Sequence, residues 1–149
     1  MTARLIYDAA ADNHVRTVTP ARYELFLPFP PSVNAIWRWV KRGRTGRTVA
    51  RSEEYSTWLK DCDGWVLDQL GVPAYRPMIR GRYTLTVTLC ITRWKTCDQD
   101  NCLKALSDLL QRSRLVADDK NAWVTMVSWG MVPNSQKDVP LCRCEINEI

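Results

Sequence analysis

CDQDNCLKALSDLLQRSRLVADDK, residues Cys97–Lys120, is the stretch from which the rest of the chain is best read. Leu103, Leu106, Leu109 and Leu110 recur at the spacing of a buried helical stripe, which predicts a helix from Asn101 to about Arg112. Asp98 and Asp100 fall just before it, Lys104 and Asp108 on its other side, and Asp118 and Asp119 beyond it. Side chains four apart lie one above the other on a helix, so Lys104 sits about a turn above Asp100. Magnesium is a hard ion held by one or two carboxylates together with substrate phosphate oxygens. Asp98, Asp100 and one of the later pair offer it such a cage. A site of this kind activates water and stabilises charge on a phosphate being displaced, and Lys104 adds a point charge beside it. Singly, the same residues also read as an N-cap, an i,i+4 ion pair and a solvated turn. Their combination within one short segment favours the metal site.

Working outward, Arg82 to Ile91 alternates Tyr83, Leu85, Val87 and Leu89 with Thr84, Thr86 and Thr88, the pattern of a half-buried strand. It runs through Arg93 and Lys95 to Asp98, delivering ligands from a strand end to a helix start. Arg93 and Lys95 either steer a substrate or offset the acidic cluster. Upstream, Ser52 to Leu70 reads as a helix: Ser52 is an N-cap, Glu53 and Glu54 suit the positive end, and Gly71 and Pro73 stop it. Its apolar positions Tyr55, Trp58, Leu59, Cys62, Val66 and Leu70 are core, and Gly71 to Arg80 is a surface connection. Arg22 to Phe29 gives a strand that stops at Pro28, and Asn34 either caps a short helical turn, the favoured reading, or contacts phosphate. Ala122 to Val132 and Leu141 to Ile146 predict two more strands.

Trp37 to Arg51 is the most basic stretch, holding Arg38, Lys41, Arg42, Arg44, Arg47 and Arg51 and no acidic residue. With Gly43 and Gly46 in its middle it reads as a flexible loop whose cations contact a phosphate backbone. Trp37 and Trp39 either stack on exposed bases or are buried in the core, and burial is the favoured reading.

The chain has 149 residues and a net charge of +5, the size of one domain with a bias toward a polyanionic partner. Its six cysteines, Cys62, Cys90, Cys97, Cys102, Cys142 and Cys144, have no paired CxxC spacing, and His14 is the only histidine, which argues against structural zinc. They read as reduced, buried thiols of a cytoplasmic protein, and no apolar run is long enough for a membrane span. Residues 1–20 lack a clear period and read as a weakly ordered extension ahead of a single domain over 21–149.

Asp98-Gln99-Asp100-Asn101, followed by Lys104, Asp108-Leu109 and Asp118-Asp119, resembles the signature of the RusA family of Holliday junction resolvases. Leu27-Pro28-Phe29-Pro30-Pro31-Ser32-Val33-Asn34 resembles that family's opening, so the two matches bracket most of the chain. The resemblance implies a small α+β homodimer, a mixed sheet with two main helices packed on it, that nicks four-way or other branched DNA in recombination and repair. It implies Mg²⁺ or Mn²⁺ held by Asp98, Asp100 and Asp119, with Asp118 a further candidate, and an essential lysine at Lys104. Arg38, Lys41, Arg42, Arg44, Arg47, Arg51, Arg93 and Lys95 are then the DNA-binding candidates. The bacterial or phage-infected cytoplasm is the implied location. The expected mechanism pairs two protomers on a two-fold axis to make symmetric incisions.

Other DxD chemistries fit less well. Glycosyltransferase nucleotide domains need a longer chain, and a dehalogenase-type DxDxT lacks its threonine here, since Asn101 and Cys102 follow Asp100. An EF-hand counted from Asp98 would need Gly and Glu where Leu103 and Leu109 stand. A non-catalytic DNA-binding module explains the basic stretch but leaves the clustered carboxylates without a purpose. A nuclease of branched DNA without strict junction preference is the other alternative.

Overall fold

Alternation of apolar and polar residues builds the sheet. In β1 (Arg22–Leu27), Tyr23, Leu25 and Leu27 are buried while Arg22, Glu24 and Phe26 face outward. β4 (Tyr83–Cys90) buries Tyr83, Leu85, Val87 and Leu89, and β6 (Cys142–Glu148) buries Cys142, Cys144 and Ile146. The register sets Leu25 opposite Cys144 and Leu85 opposite Ile146, so these side chains share one face. With β5 (Val124–Val132) the strands form a sheet of order β1-β6-β4-β5, antiparallel except for the parallel pair β4 and β5. The computed structural model describes residues 20–44, 46–90, 99–120, 123–132 and 142–149. The expected N-terminal extension therefore lies outside the described residues, apart from Pro20.

Two helices cover the buried face. In α2 (Glu53–Leu70), the Ser52 hydroxyl accepts a hydrogen bond from the Tyr55 N–H at 3.1 Å, and Glu53 and Glu54 occupy the first turn. Tyr55, Trp58, Leu59, Cys62 and Val66 turn inward as expected, whereas Leu70, at the last turn, is only partly buried against the core. The helix ends at Gly71, whose φ of 71° lies in the left-handed region and whose N–H bonds the Leu67 carbonyl. α3 (Gln99–Arg112) adds Cys102, Ala105, Leu106, Leu109 and Leu110 to the buried set. A buried leucine stabilises by about 1.5–3 kcal/mol, and these leucines join the side chains of the sheet in one hydrophobic core. The chain is thus α+β, with two main helices on a small mixed sheet.

Parallel strands need a crossover, and α3 lies on it between β4 and β5. Arg114, with φ 57°, reverses the chain after α3, and the Leu115 N–H bonds back to the Leu110 carbonyl. The chain then pairs Val116 in parallel with Ile79 before reaching β5. Ile79 is fully buried, so the expected surface connection from Gly71 to Arg80 is anchored in the core near its end. Arg76 within it donates to the carbonyls of Ser113 and Gly71, tying the ends of the two helices together. The β1 edge is closed by the Gln69 amide, which accepts from the Phe26 N–H at 2.8 Å and donates to its carbonyl at 2.7 Å. A side chain here stands where another strand would otherwise pair.

Three expectations change. Trp37 to Arg51 is not a loop but an ordered hairpin, β2 (Trp37–Arg42) paired antiparallel with β3 (Gly46–Arg51) as a separate two-stranded sheet. The short helical turn exists as α1 (Val33–Ile36), but Ser32 rather than Asn34 occupies its N-cap position. Cys62, Cys142 and Cys144 are free and buried as expected, whereas Cys102 is disulfide-bonded, its partner lying outside the described side chains.

Candidate active site

α3 begins at Gln99, two residues earlier than the apolar stripe predicts, because carboxylates and amides are stabilised at the positive end of a helix without contributing to the stripe. Asp100 is thereby in the first turn rather than ahead of the helix. Its side chain, and all of Asp98, Arg93 and Lys95, lie outside the described residues. From Asp100 to Leu110 the helix rises about 15 Å. After the reversal at Arg114, the residues from Leu115 to Asp119 run back at most about 13 Å. The crossover thus carries the chain away from Asp100 and brings Asp118 and Asp119 beside Tyr83, the first residue of β4.

The two aspartates at that return do different jobs. The Asp118 carboxylate accepts from the N–H groups of Asp119, at 2.8 Å, and Lys120, at 3.3 Å, and pairs with the Lys120 ammonium at 2.8 Å. The hydrogen bond from Lys120 holds its carboxyl below the usual range, and the neighbouring N–H groups add to this. Asp118 is a turn-forming residue. Asp119 is half-buried, and among the described residues its carboxylate takes part in no hydrogen bond or ion pair, leaving its oxygens open to a ligand. Tyr83 anchors this corner, its hydroxyl donating to the Asp118 carbonyl at 3.3 Å, and burial pushes its phenol up to about 12, with Asp119 and Asp118 adding to the shift.

Lys104 is half-exposed, and its ammonium lies 2.6 Å from Asp108 Oδ1. An ammonium has three donors, so two remain for a substrate oxygen. Asp108 Oδ2 accepts at 2.6 Å from the hydroxyl of Tyr55, which is fully buried in the first turn of α2. Burial first, then the hydrogen bond to Asp108, raises the Tyr55 phenol well above its ordinary range, so it stays protonated as a donor. Arg51, the last residue of β3, lies over the Tyr55 ring at 5.6 Å. Reading Tyr55 as core alone missed this contact. The signal was a tyrosine rather than a phenylalanine at an inward position, since a buried hydroxyl needs a partner.

Arg38, Lys41, Arg42, Arg44, Arg47 and Arg51 are all exposed on the hairpin, and none forms a salt bridge among the described residues. Trp37 and Trp39 are not in the core: they are 49% and 73% exposed, because among the described residues the hairpin pairs only with itself and no second layer covers it.

The expected metal trio is oxygen-only, which suits Mg²⁺ or Mn²⁺ and not zinc. Of that trio only the Asp119 side chain is among the described residues, and within those residues no three His, Cys, Asp or Glu side chains converge. Among the described residues, no helix is long and apolar enough to cross a membrane. No protein-family model matches the chain, and no curated protein matches it.

Proposed function

We propose that the protein is a Mg²⁺-dependent endodeoxyribonuclease that resolves four-way DNA junctions by paired symmetric nicks, acting in DNA recombination and repair in a bacterial or phage-infected cytoplasm. The observation that carries this reading is the half-buried Asp119 carboxylate, which takes part in no hydrogen bond or ion pair among the described residues and follows the helix that holds Asp100 in its first turn and presents Lys104. Asp98, Asp100 and Asp119 would hold Mg²⁺ or Mn²⁺. The ion, when bound, supplies Lewis-acid stabilisation of the displaced phosphate and a more acidic water. Lys104 neutralises charge on the scissile phosphate or leaving oxygen, and Asp108, itself held by Tyr55, keeps that ammonium in place. The hairpin cations bind the phosphates of the DNA arms, with Arg93 and Lys95 as further contacts. One acidic cluster cuts one strand, so paired incision requires a homodimer whose two-fold axis coincides with that of the junction.

A non-catalytic DNA-binding module is the second reading, favoured by the exposed hairpin cations and tryptophans. The two readings separate on a four-way junction and a matching linear duplex, each incubated with Mg²⁺ and with EDTA. The nuclease reading predicts metal-dependent nicks on the junction, absent in Asp100→Asn, with junction binding retained or tightened in that variant because carboxylate repulsion falls. Binding without cleavage would select the module. Equal cutting of the duplex would leave a nuclease without junction preference.

A further inference from the structure

We propose that the face of the hairpin carrying Trp37, Trp39 and Val49 is a stacking platform for unpaired bases of a DNA strand. In an antiparallel pair, directly opposed residues point to the same side, and the register sets Trp37 opposite Arg51, Trp39 opposite Val49, and Lys41 opposite Arg47. One face therefore holds two tryptophans and a valine beside three cations. Trp37, Trp39 and Val49 are 49%, 73% and 45% exposed, and with Arg38 at the edge they line an open groove of ≈ 470 Å³.

These rings do not stabilise the fold by burial. The hairpin forms its own two-stranded sheet, anchored where the Ser52 N–H bonds the Ile36 carbonyl at 2.8 Å. Charge decides the occupant. The segment carries six cations and no carboxylate from Trp37 to Arg51, so a second copy of the same face is repelled, whereas a phosphate chain is attracted. Flat aromatic surface interleaved with cations is what a single strand needs, because every base has a π-face and every nucleotide a phosphate. Residues two apart on a strand are about 6.7 Å apart. That is twice the roughly 3.4 Å rise per base of a strand, a spacing that takes one base between the rings. The inference rests on the proposed function only in taking DNA as the polymer, and it places the opened bases of a branch point, rather than paired arms, on this face.

The test is anisotropy of a labelled oligothymidylate and a matching labelled duplex, titrated with full-length protein in EDTA so that no cleavage is read. Trp39→Ala is expected to weaken single-strand binding about fivefold to a hundredfold, the equivalent of one lost base–aromatic stack. Duplex binding changes little, and Trp39→Phe keeps most of the single-strand affinity. The dependence of log affinity on log salt stays unchanged in Trp39→Ala but becomes shallower by about 1.4 in the Lys41→Ala/Arg47→Ala double variant. Trp39→Lys is the control that keeps the proposal open to refutation if the alanine variant fails to fold: stacking predicts weaker binding, whereas charge alone predicts tighter. Wild-type affinity in Trp39→Ala, tighter binding in Trp39→Lys, or a dimer that becomes a monomer in Trp39→Ala with affinity unchanged would each overturn the platform. Failure to cut DNA in Mg²⁺ would instead overturn the nuclease and leave this result standing.

Discussion

Replacing Tyr55 by Phe removes one oxygen and leaves the volume of the core almost unchanged. The oxygen lost is the donor to Asp108 Oδ2 at 2.6 Å, from a fully buried ring to a carboxylate that is 22% exposed. A hydrogen bond to a charged group contributes about 1.5–3 kcal/mol, and no cavity term is added because the ring remains. The other contact of Asp108, to Lys104, is a solvent-facing i,i+4 pair of only about 0.3–0.5 kcal/mol and does not compensate. We expect Tyr55→Phe to cost about 2 kcal/mol, a fall in the urea midpoint of roughly 1 M at a slope near 2 kcal/mol per molar. In an Asp108→Ala background the same substitution should cost close to nothing, since the partner is already gone. A cost below about 0.5 kcal/mol in wild type, or an equal cost in both backgrounds, would refute the Tyr55–Asp108–Lys104 linkage.

Burial pushes the thiols of Cys62 and Cys144 up to about 12 and raises that of Cys142, against about 8.5 in an unfolded chain. Above that lower value the unfolded chain has shed protons that the folded one retains, so stability is full below it and falls as pH rises. Three thiols give a slope near 4 kcal/mol per pH unit, joined by Tyr83 and Tyr55 above about pH 10; urea midpoints that stay level from about pH 8 to pH 10 would contradict the burial. Gly71→Ala places a side chain at φ 71° and ψ −167°, a region open essentially to glycine, and should cost about 1–3 kcal/mol in chemical denaturation. Asp118→Asn should leave Mg²⁺-dependent cleavage largely intact while Asp119→Asn abolishes it, because Asp118 is committed to its turn and Asp119 is not.

What the chain reveals of its fold depends on whether a face is buried. β4 was legible because Tyr83, Leu85, Val87 and Leu89 alternate with threonines against a core, and α2 because Ser52 and Gly71 mark its ends around a periodic stripe. The hairpin was misread as a loop for the converse reason. Both its faces carry solvent-exposed cations, and the one that holds Trp37 and Trp39 holds Lys41, Arg47 and Arg51 as well, so no apolar alternation appears. Gly43, at φ 67°, marked flexibility in the sequence but serves as the turn. In the candidate site the local pair Lys104 and Asp108 was visible at helical spacing. Tyr55, which lies 53 residues from Asp108 in sequence, was not, since no local pattern encodes a contact between two helices. The different roles of Asp118 and Asp119 were equally hidden, because only the turn geometry shows which carboxylate the backbone uses.

Paired, metal-dependent incision of a four-way junction can be read on a supercoiled plasmid that extrudes a cruciform. Two nicks placed symmetrically during one encounter turn the circle into a linear molecule, whereas single nicks leave a relaxed circle. Linear product is expected from the wild-type protein in Mg²⁺, none in EDTA and none from Asp100→Asn. Relaxed circles without linear product, or an unchanged plasmid in Mg²⁺, would contradict it.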